Sequence, residues 1–409
     1  MNEAQALGWL GRKIAWGLTP AMQEEWLALG VDGVIDRLVE PDAHGIAARI
    51  DPFVGIPVER GNAGASIREG IVNWLGALID TPRPLESFME FFWSDYFAVS
   101  IRSVRPVNLM FDHMNLLGRH SLGNFRTLLH DITIDGAMLD FLDGGSNRVG
   151  NPNENYGREL LELYSVGVGH FTEADVKAAA VALTGWQLQR RRGTVRFVDR
   201  FHDDTAQTVL GVDDVHDVDT VIDAVVTHPA TAERVVDKLA VAILGPGYDT
   251  ARTASLAASF ADDLELKPVV RGLLELGVDG AAMPAIIEPL PWMITAHRFT
   301  GAPLAQGPLR TYFRTSGQTP LFPPNVGGFP DPDAYLSSSA TIARFNLAAA
   351  MSTRARAEAR QASRDVDDLA HALNLSDGFR AATRDAIGGL TPGPDRITAA
   401  LASPDVLVV

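Results

Sequence analysis

Apolar residues recur every three to four positions along most of this chain, the period of an amphipathic α-helix. In 84–100, "PLESFMEFFWSDYFAVS", the bulky residues Phe88, Phe91, Phe92, Tyr96 and Val99 fall on one stripe that must pack against other helices. "TPAMQEEWLALGVDGVIDRLVEP" opens with Thr19 as an N-cap and Pro20 at the first helical position, and Gly30 divides it. Residues 105–145 read as two or three helices broken at Gly118 and Gly123; Asp135 caps the last, and Gly144 and Gly145 end it. A helical pair interrupted at Pro229 covers 217–245, a further helical region covers 253–299, and 340–400 is helical and charged. Two stretches break the period. Val195, Phe197 and Phe201 among polar residues predict a short β-hairpin or extended insert near 193–211. "GQTPLFPPNVGGFPDPDAYLSSS", 317–339, has five prolines and three glycines in 23 residues. Its Leu321, Phe322, Val326, Phe329 and Tyr335 predict a long ordered loop that packs rather than drifts. The expectation is a mainly α, multi-helical fold with a single large core. The chain reads as one helical domain over 1–409, divisible at most into 1–215 and 216–409.

The most densely patterned stretch is "NPNENYGRELLELYSVGVGHFTEADVKAAAVALTGW", 151–186. Asn151 reads as an N-cap with Pro152 at N1 and Glu154 at N3, and the helix should run to about Ser165 before Gly167 or Gly169 turns the chain. Thr172 caps a second helix with Asp175 at N3, and Gly185 ends it. Val176, Ala179, Ala180 and Leu183 form its apolar stripe, and the alanines imply close helix packing. On the first helix, steps of about 100° per residue place Asn155, Glu159 and Glu162 within roughly 60° of arc, with Arg158 beside them. Tyr156, Leu160, Leu161, Leu163 and Tyr164 take the rest. So wide an apolar arc leaves a narrow polar seam, which must be paired or face a cavity. Glu159 and Glu162 could share one cation or one proton; alternatively Arg158 pairs with them and the seam is structural.

Composition removes whole classes of chemistry. With no cysteine, thiolate catalysis, cysteine-ligated zinc, iron–sulfur clusters and disulfides are excluded, so any metal would sit on His, Asp, Glu or carbonyl oxygen. A net charge of −16 makes this an acidic protein and argues against nucleic acid and anionic membrane surfaces as partners. The N-terminus has no apolar signal region and no stretch is apolar enough to span a bilayer; the run at 281–293 is cut by Pro284, Glu288, Pro289 and Pro291. A cytoplasmic location is the expectation. A dinucleotide fingerprint, P-loop, nucleophile elbow and His-Glu-x-x-His helix are all missing from the sequence.

The 151–186 stretch closely resembles the bacterial family known as domain of unknown function 1800. "GRKIAWGLTP", "FFWSDYFAVS", "LGNFRTLLHDITIDGAMLDFLDGGSNRVG", "FHDDTAQTVLG", "THPATAERVVDKLA" and "GQTPLFPPNVGGFP" resemble family blocks in the same order, over nearly the whole chain. The resemblance implies an essentially all-α fold and a protein partner encoded nearby, one that carries a twin-arginine export signal. Two positions depart from the family pattern. Where members read Phe-Trp-x-Asn-His-Phe, this chain has Phe92-Trp93-Ser94-Asp95-Tyr96-Phe97, and where they read Gly-Trp-Pro it has Gly328-Phe329-Pro330.

Three polar groups could meet in space: Asp95 with Tyr96, the seam Asn155/Arg158/Glu159/Glu162, and His202 with Asp203. Facing helices can build carboxylate–histidine metal sites, so Glu159, Glu162 and His202 with Asp95 are candidate ligands for a divalent ion. Two carboxylates held close could instead divide into acid and base. The leading expectation is an enzyme whose carboxylate pocket is built on Glu159 and Glu162 with Asp95, Tyr96, Arg158 and Asn155, acting on a small molecule or modified peptide. The alternative is a non-catalytic scaffold that binds a partner through the 317–339 loop. His113, His120 and His130 read as structural.

Overall fold

The structure, a computed structural model, describes residues 1–58 and 61–409. Among these residues the chain is mainly α-helical, with twenty-one α-helices and two small antiparallel two-stranded ribbons. The helix signals in the sequence act where they stand. Thr19 accepts from the Met22 N–H at 3.4 Å and Pro20 begins helix Pro20–Val39, which kinks at Gly30 with φ +69°. Asp135 accepts from the N–H groups of Ala137 and Met138 at 3.0 and 2.9 Å, capping helix Gly136–Phe141. The helical pair breaks at Pro229 as its pattern requires: Val218–Val226 ends before it, and Pro229 starts helix Pro229–Leu244 with His228 as the cap. At N1 the missing proline N–H costs nothing.

The insert is larger than periodicity suggested. Trp186–Gln189 pairs with Thr194–Phe197, and Gln207–Val209 pairs with Val212–Val215, so two ribbons span 186–215 in place of one hairpin near 193–211. Their turns pass through Gly193 and Gly211, at φ +62° and +80°. "WQLQ" lacks the alternation of a half-buried strand, and all four of its residues are partly covered.

Buried apolar side chains form one contiguous cluster running from Leu7 to Val406. Trp74, Trp93 and Trp292 are its largest fully buried members. Trp93 donates its indole N–H to the Ser121 carbonyl at 3.0 Å, which satisfies the one polar atom that its burial would strand. No helix among the described residues is long and apolar enough to cross a membrane.

Four segments converge beside that core. Helix Glu3–Lys13 ends there, helix Pro84–Tyr96 ends there, and helix Pro289–Thr300 begins there behind Glu288. The 317–339 loop closes over them. It is ordered and packed: Ile101 N–H donates to the Leu321 carbonyl at 3.0 Å, and Leu321 and Tyr335 are buried.

Candidate functional site

The signature hairpin holds its shape but disposes its polar seam differently from expectation. The cap of helix Glu154–Glu159 is Asn153, not Asn151: the Asn153 side chain accepts from the Asn155 N–H at 3.0 Å, while its own N–H is taken by the Asn147 side chain at 2.9 Å. Asn151 is spent in a bridge with Arg148. The second cap matches its pattern, a reciprocal box between Thr172 and Asp175. Gly157 lies so near this second helix that a Cβ there would stand 3.2 Å from the Val176 carbonyl oxygen. Arg158 does not serve its neighbouring acids. Its two terminal nitrogens each donate to a different oxygen of Glu173 at 2.7 Å, with Glu154 at 3.7 Å. Glu159 and Glu162 are half-buried and have no hydrogen bond or ion pair among the described residues. Burial, and then the charge of Glu162, hold the Glu159 carboxyl above the usual range. Asn155 is exposed.

After Glu159 the helix widens into a π turn, Leu160–Tyr164. The helix ends with this turn, so its last carbonyls have no partner in the ladder. Two of them are used. Arg234 donates to the Leu163 carbonyl at 3.3 Å, and the Tyr96 hydroxyl donates to the Tyr164 carbonyl at 3.1 Å. Tyr96 is therefore a tie between two helices. Its ring packs on Trp93, Phe97 and Tyr164, and burial raises its hydroxyl well above the ordinary tyrosine value.

Asp95, one residue earlier, turns to the loop. Its Oδ1 accepts from the Phe329 N–H at 2.7 Å. Gly328 makes that approach feasible: it has φ +88°, and a Cβ would stand 2.6 Å from Asp95 Oδ1. Burial pushes the Asp95 carboxyl up to about 6, against the pull of the Phe329 N–H and of Lys238, with Asp331 pushing the same way.

Glu288 faces the same place from the other side. Its carboxylate accepts from the Gln318 side-chain amide, whose oxygen in turn accepts from the Leu290 N–H at 2.9 Å. Burial, then the charge of Asp95, raise Glu288 to about 7, opposed by Gln318 and Lys13. Burial lowers Lys13 to about 8, opposed by Glu288. Lys13, Asp95 and Glu288 each keep partial access to solvent. The Tyr335 hydroxyl is fully buried, feels the charge of both carboxylates and has no hydrogen-bond partner among the described residues. Burial pushes that hydroxyl further up, while Lys13, Asp95 and Glu288, from distant parts of the chain, are gathered with proton affinities drawn toward neutrality. Such groups exchange protons with little thermodynamic cost at ordinary pH.

The expected metal set is not assembled. His202 engages the Thr184 carbonyl at 3.0 Å and packs on Phe197, so it anchors the ribbon, while Asp95 is committed to the loop. Among the described residues no group of three or more His, Asp or Glu is placed to hold a metal ion. Of the residues singled out from sequence, Asp95 lies in the inner cluster and Tyr96 borders it. Lys13, Glu288, Gln318 and Tyr335 were not singled out as site residues. Glu288 carried a signal nonetheless: it is a lone acid inside the apolar, proline-cut run 281–293.

No curated protein and no solved structure matches the chain. A family model described as "Protein of unknown function (DUF1800)" matches residues 9–408. With nearly its whole length covered, the chain belongs to that family.

Proposed function

We propose that this protein is an enzyme that transfers protons on a small molecule by general acid–base catalysis, with Asp95 and Glu288 as the working carboxylates. The observation that carries the reading is their convergence, half-buried, each held by a single neutral donor rather than by a cation. A structural carboxylate in this same protein is treated otherwise. Buried Glu90 has Arg49 at 2.8 Å and the Trp74 indole N–H at 3.0 Å. Desolvating a carboxylate without such pairing costs stability, and groups so placed cluster at functional sites. Asp95 ionises first, near pH 6, and serves as base; Glu288, kept protonated longer by that charge, serves as acid. Lys13 supports the negative charge that develops on Glu288 when it gives up its proton.

The test is a substrate-independent titration followed by activity screening of wild type, D95N and E288Q. Both variants should fold and both should lose turnover of whatever small molecule the wild type converts. Retained turnover in either variant contradicts the assignment.

A second reading, a partner-binding scaffold, draws on Leu336, Ile342 and Phe345, large apolar side chains that stay exposed where the loop passes into helix Ser338–Ser352. The inward commitment of Gln318, Phe329 and Tyr335 favours the enzyme.

A further inference from the structure

Among the described residues, the buried Arg298 and Arg396 are fully satisfied and Arg344 is not. Arg298 donates to four backbone carbonyls, those of Ala15, Gly17, Leu78 and Ile79. Arg396 likewise donates to those of Ser363, Arg364, Gly388 and Leu390. Arg344 is buried more deeply, at 1% exposure, yet its Nε, Nη1 and Nη2 find neither a hydrogen-bond acceptor nor an ion pair among the described residues. The Tyr312 hydroxyl oxygen lies beside the guanidinium and partly offsets its charge, while its proton is donated to the Pro289 carbonyl at 2.8 Å. An unpaired guanidinium in a protein interior is among the most costly groups a fold can carry. Its planar fork of donors suits a two-oxygen anion above other ligands.

The position of Arg344 ties it to the carboxylates. Tyr312 belongs to the helix before the 317–339 loop, Tyr335 to the loop, and Arg344 to the helix after it. Tyr335, its hydroxyl also unpartnered, lies within electrostatic reach of Tyr312 on one side and of Asp95 and Glu288 on the other. Pro289, which holds the Tyr312 hydroxyl, directly follows Glu288. Electrostatic coupling therefore links the two carboxylates to Tyr335, Tyr335 to Tyr312, and Tyr312 to the buried Arg344.

We infer that Arg344, with the unpartnered hydroxyl of Tyr335, binds an oxyanion of the substrate, a carboxylate or phosphoryl group. This deepens the acid–base reading and rests on it for the placing of the reacting atoms: the substrate is a small molecule whose anionic end is fixed at Arg344 and whose proton-bearing centre faces Asp95 and Glu288. Such a division orients the molecule by its charge and leaves the carboxylates free for chemistry. It also resolves a conflict, since two carboxylates alone would repel an anion.

The experiment uses the full chain and thermal unfolding, with chloride replaced by inorganic phosphate or by acetate at constant ionic strength. Wild-type protein should show a saturable rise in Tm with one of the two; the tighter binder tells a phosphoryl from a carboxyl group. R344M should weaken that binding by about 100-fold or more and should melt higher than wild type in chloride. A saturable rise that persists unchanged in R344M overturns the inference, as does wild type that responds to neither anion. Should R344M not fold, Y335F decides: weakening of about 5-fold supports the site, and unchanged affinity contradicts it. In D95N the anion response should persist. If D95N and E288Q leave catalysis intact while R344M alone abolishes anion binding, the acid–base reading fails and the anion site stands.

Discussion

Two parts of this molecule bring a pair of carboxylates together, and they do so in opposite ways. On the signature helix Glu159 and Glu162 are three residues apart and half-buried, and the nearby Arg158 turns away to Glu173. In the inner cluster Asp95 and Glu288 are joined only by the tertiary fold, and each is held by one neutral donor. The first pair is a consequence of helical spacing. The second exists because three helix ends and a loop are folded onto one place, and burial drives both of its carboxyls toward neutrality. Burial also raises Glu159, though less than Asp95 and Glu288; the deeper, tertiary convergence is the stronger sign of function.

Substitutions can break or sharpen the contrast. The largest effect should come from G328A, which puts a methyl group against Asp95 and forces a left-handed residue; a loss of about 2–3 kcal/mol is expected in denaturant unfolding. Next are D95N and E288Q. A carboxyl whose folded pKa is raised contributes stability that is fully present below its unfolded value and is lost as pH rises through the folded one. For Asp95 that window runs from about 4 to about 6, and for Glu288 from about 4.5 to about 7. Both amides should therefore stabilise the protein at pH 8, by roughly 1–2 kcal/mol after allowance for partial exposure, and by almost nothing at pH 4. A loss of stability at pH 8 would mean that these carboxylates are structural after all. E159Q and E162Q should stay within about 0.5 kcal/mol of wild type at either pH, because Arg158 does not depend on them. E173Q should have the smallest effect, a slight loss that vanishes in high salt, as befits an exposed ion pair.

Much of the frame was legible in the chain. Thr19 with Pro20, Asp135, and Thr172 with Asp175 cap helices where their side chains and neighbours require it, because capping is decided within four residues. Asn151 misled because Pro152 suits a helix start, while Asn147, outside the motif, claims the backbone of Asn153 and moves the start by two residues. The π turn at Leu160–Tyr164 left no periodic trace; its last carbonyls are taken by Tyr96 and Arg234, side chains distant in sequence. The site was half legible. Asp95 and the 317–339 loop were singled out separately, as a candidate ligand and as a docking loop. That the Phe329 N–H of one meets the carboxylate of the other is a tertiary fact. Lys13 closes the last turn of its helix, and nothing in the sequence marks its burial beside Glu288.

The central claim is that Asp95 and Glu288 titrate near neutrality as an interacting pair. Carboxyl-carbon NMR on Asp- and Glu-labelled protein tests it directly. Two carboxyls should titrate near pH 6 and 7 and vanish in D95N and E288Q respectively, and D95N should lower the Glu288 titration, because the Asp95 charge is part of what raises it. If both carboxyls titrate below pH 5, or if D95N leaves Glu288 where it was, the two groups are not a proton-transfer pair and the account fails.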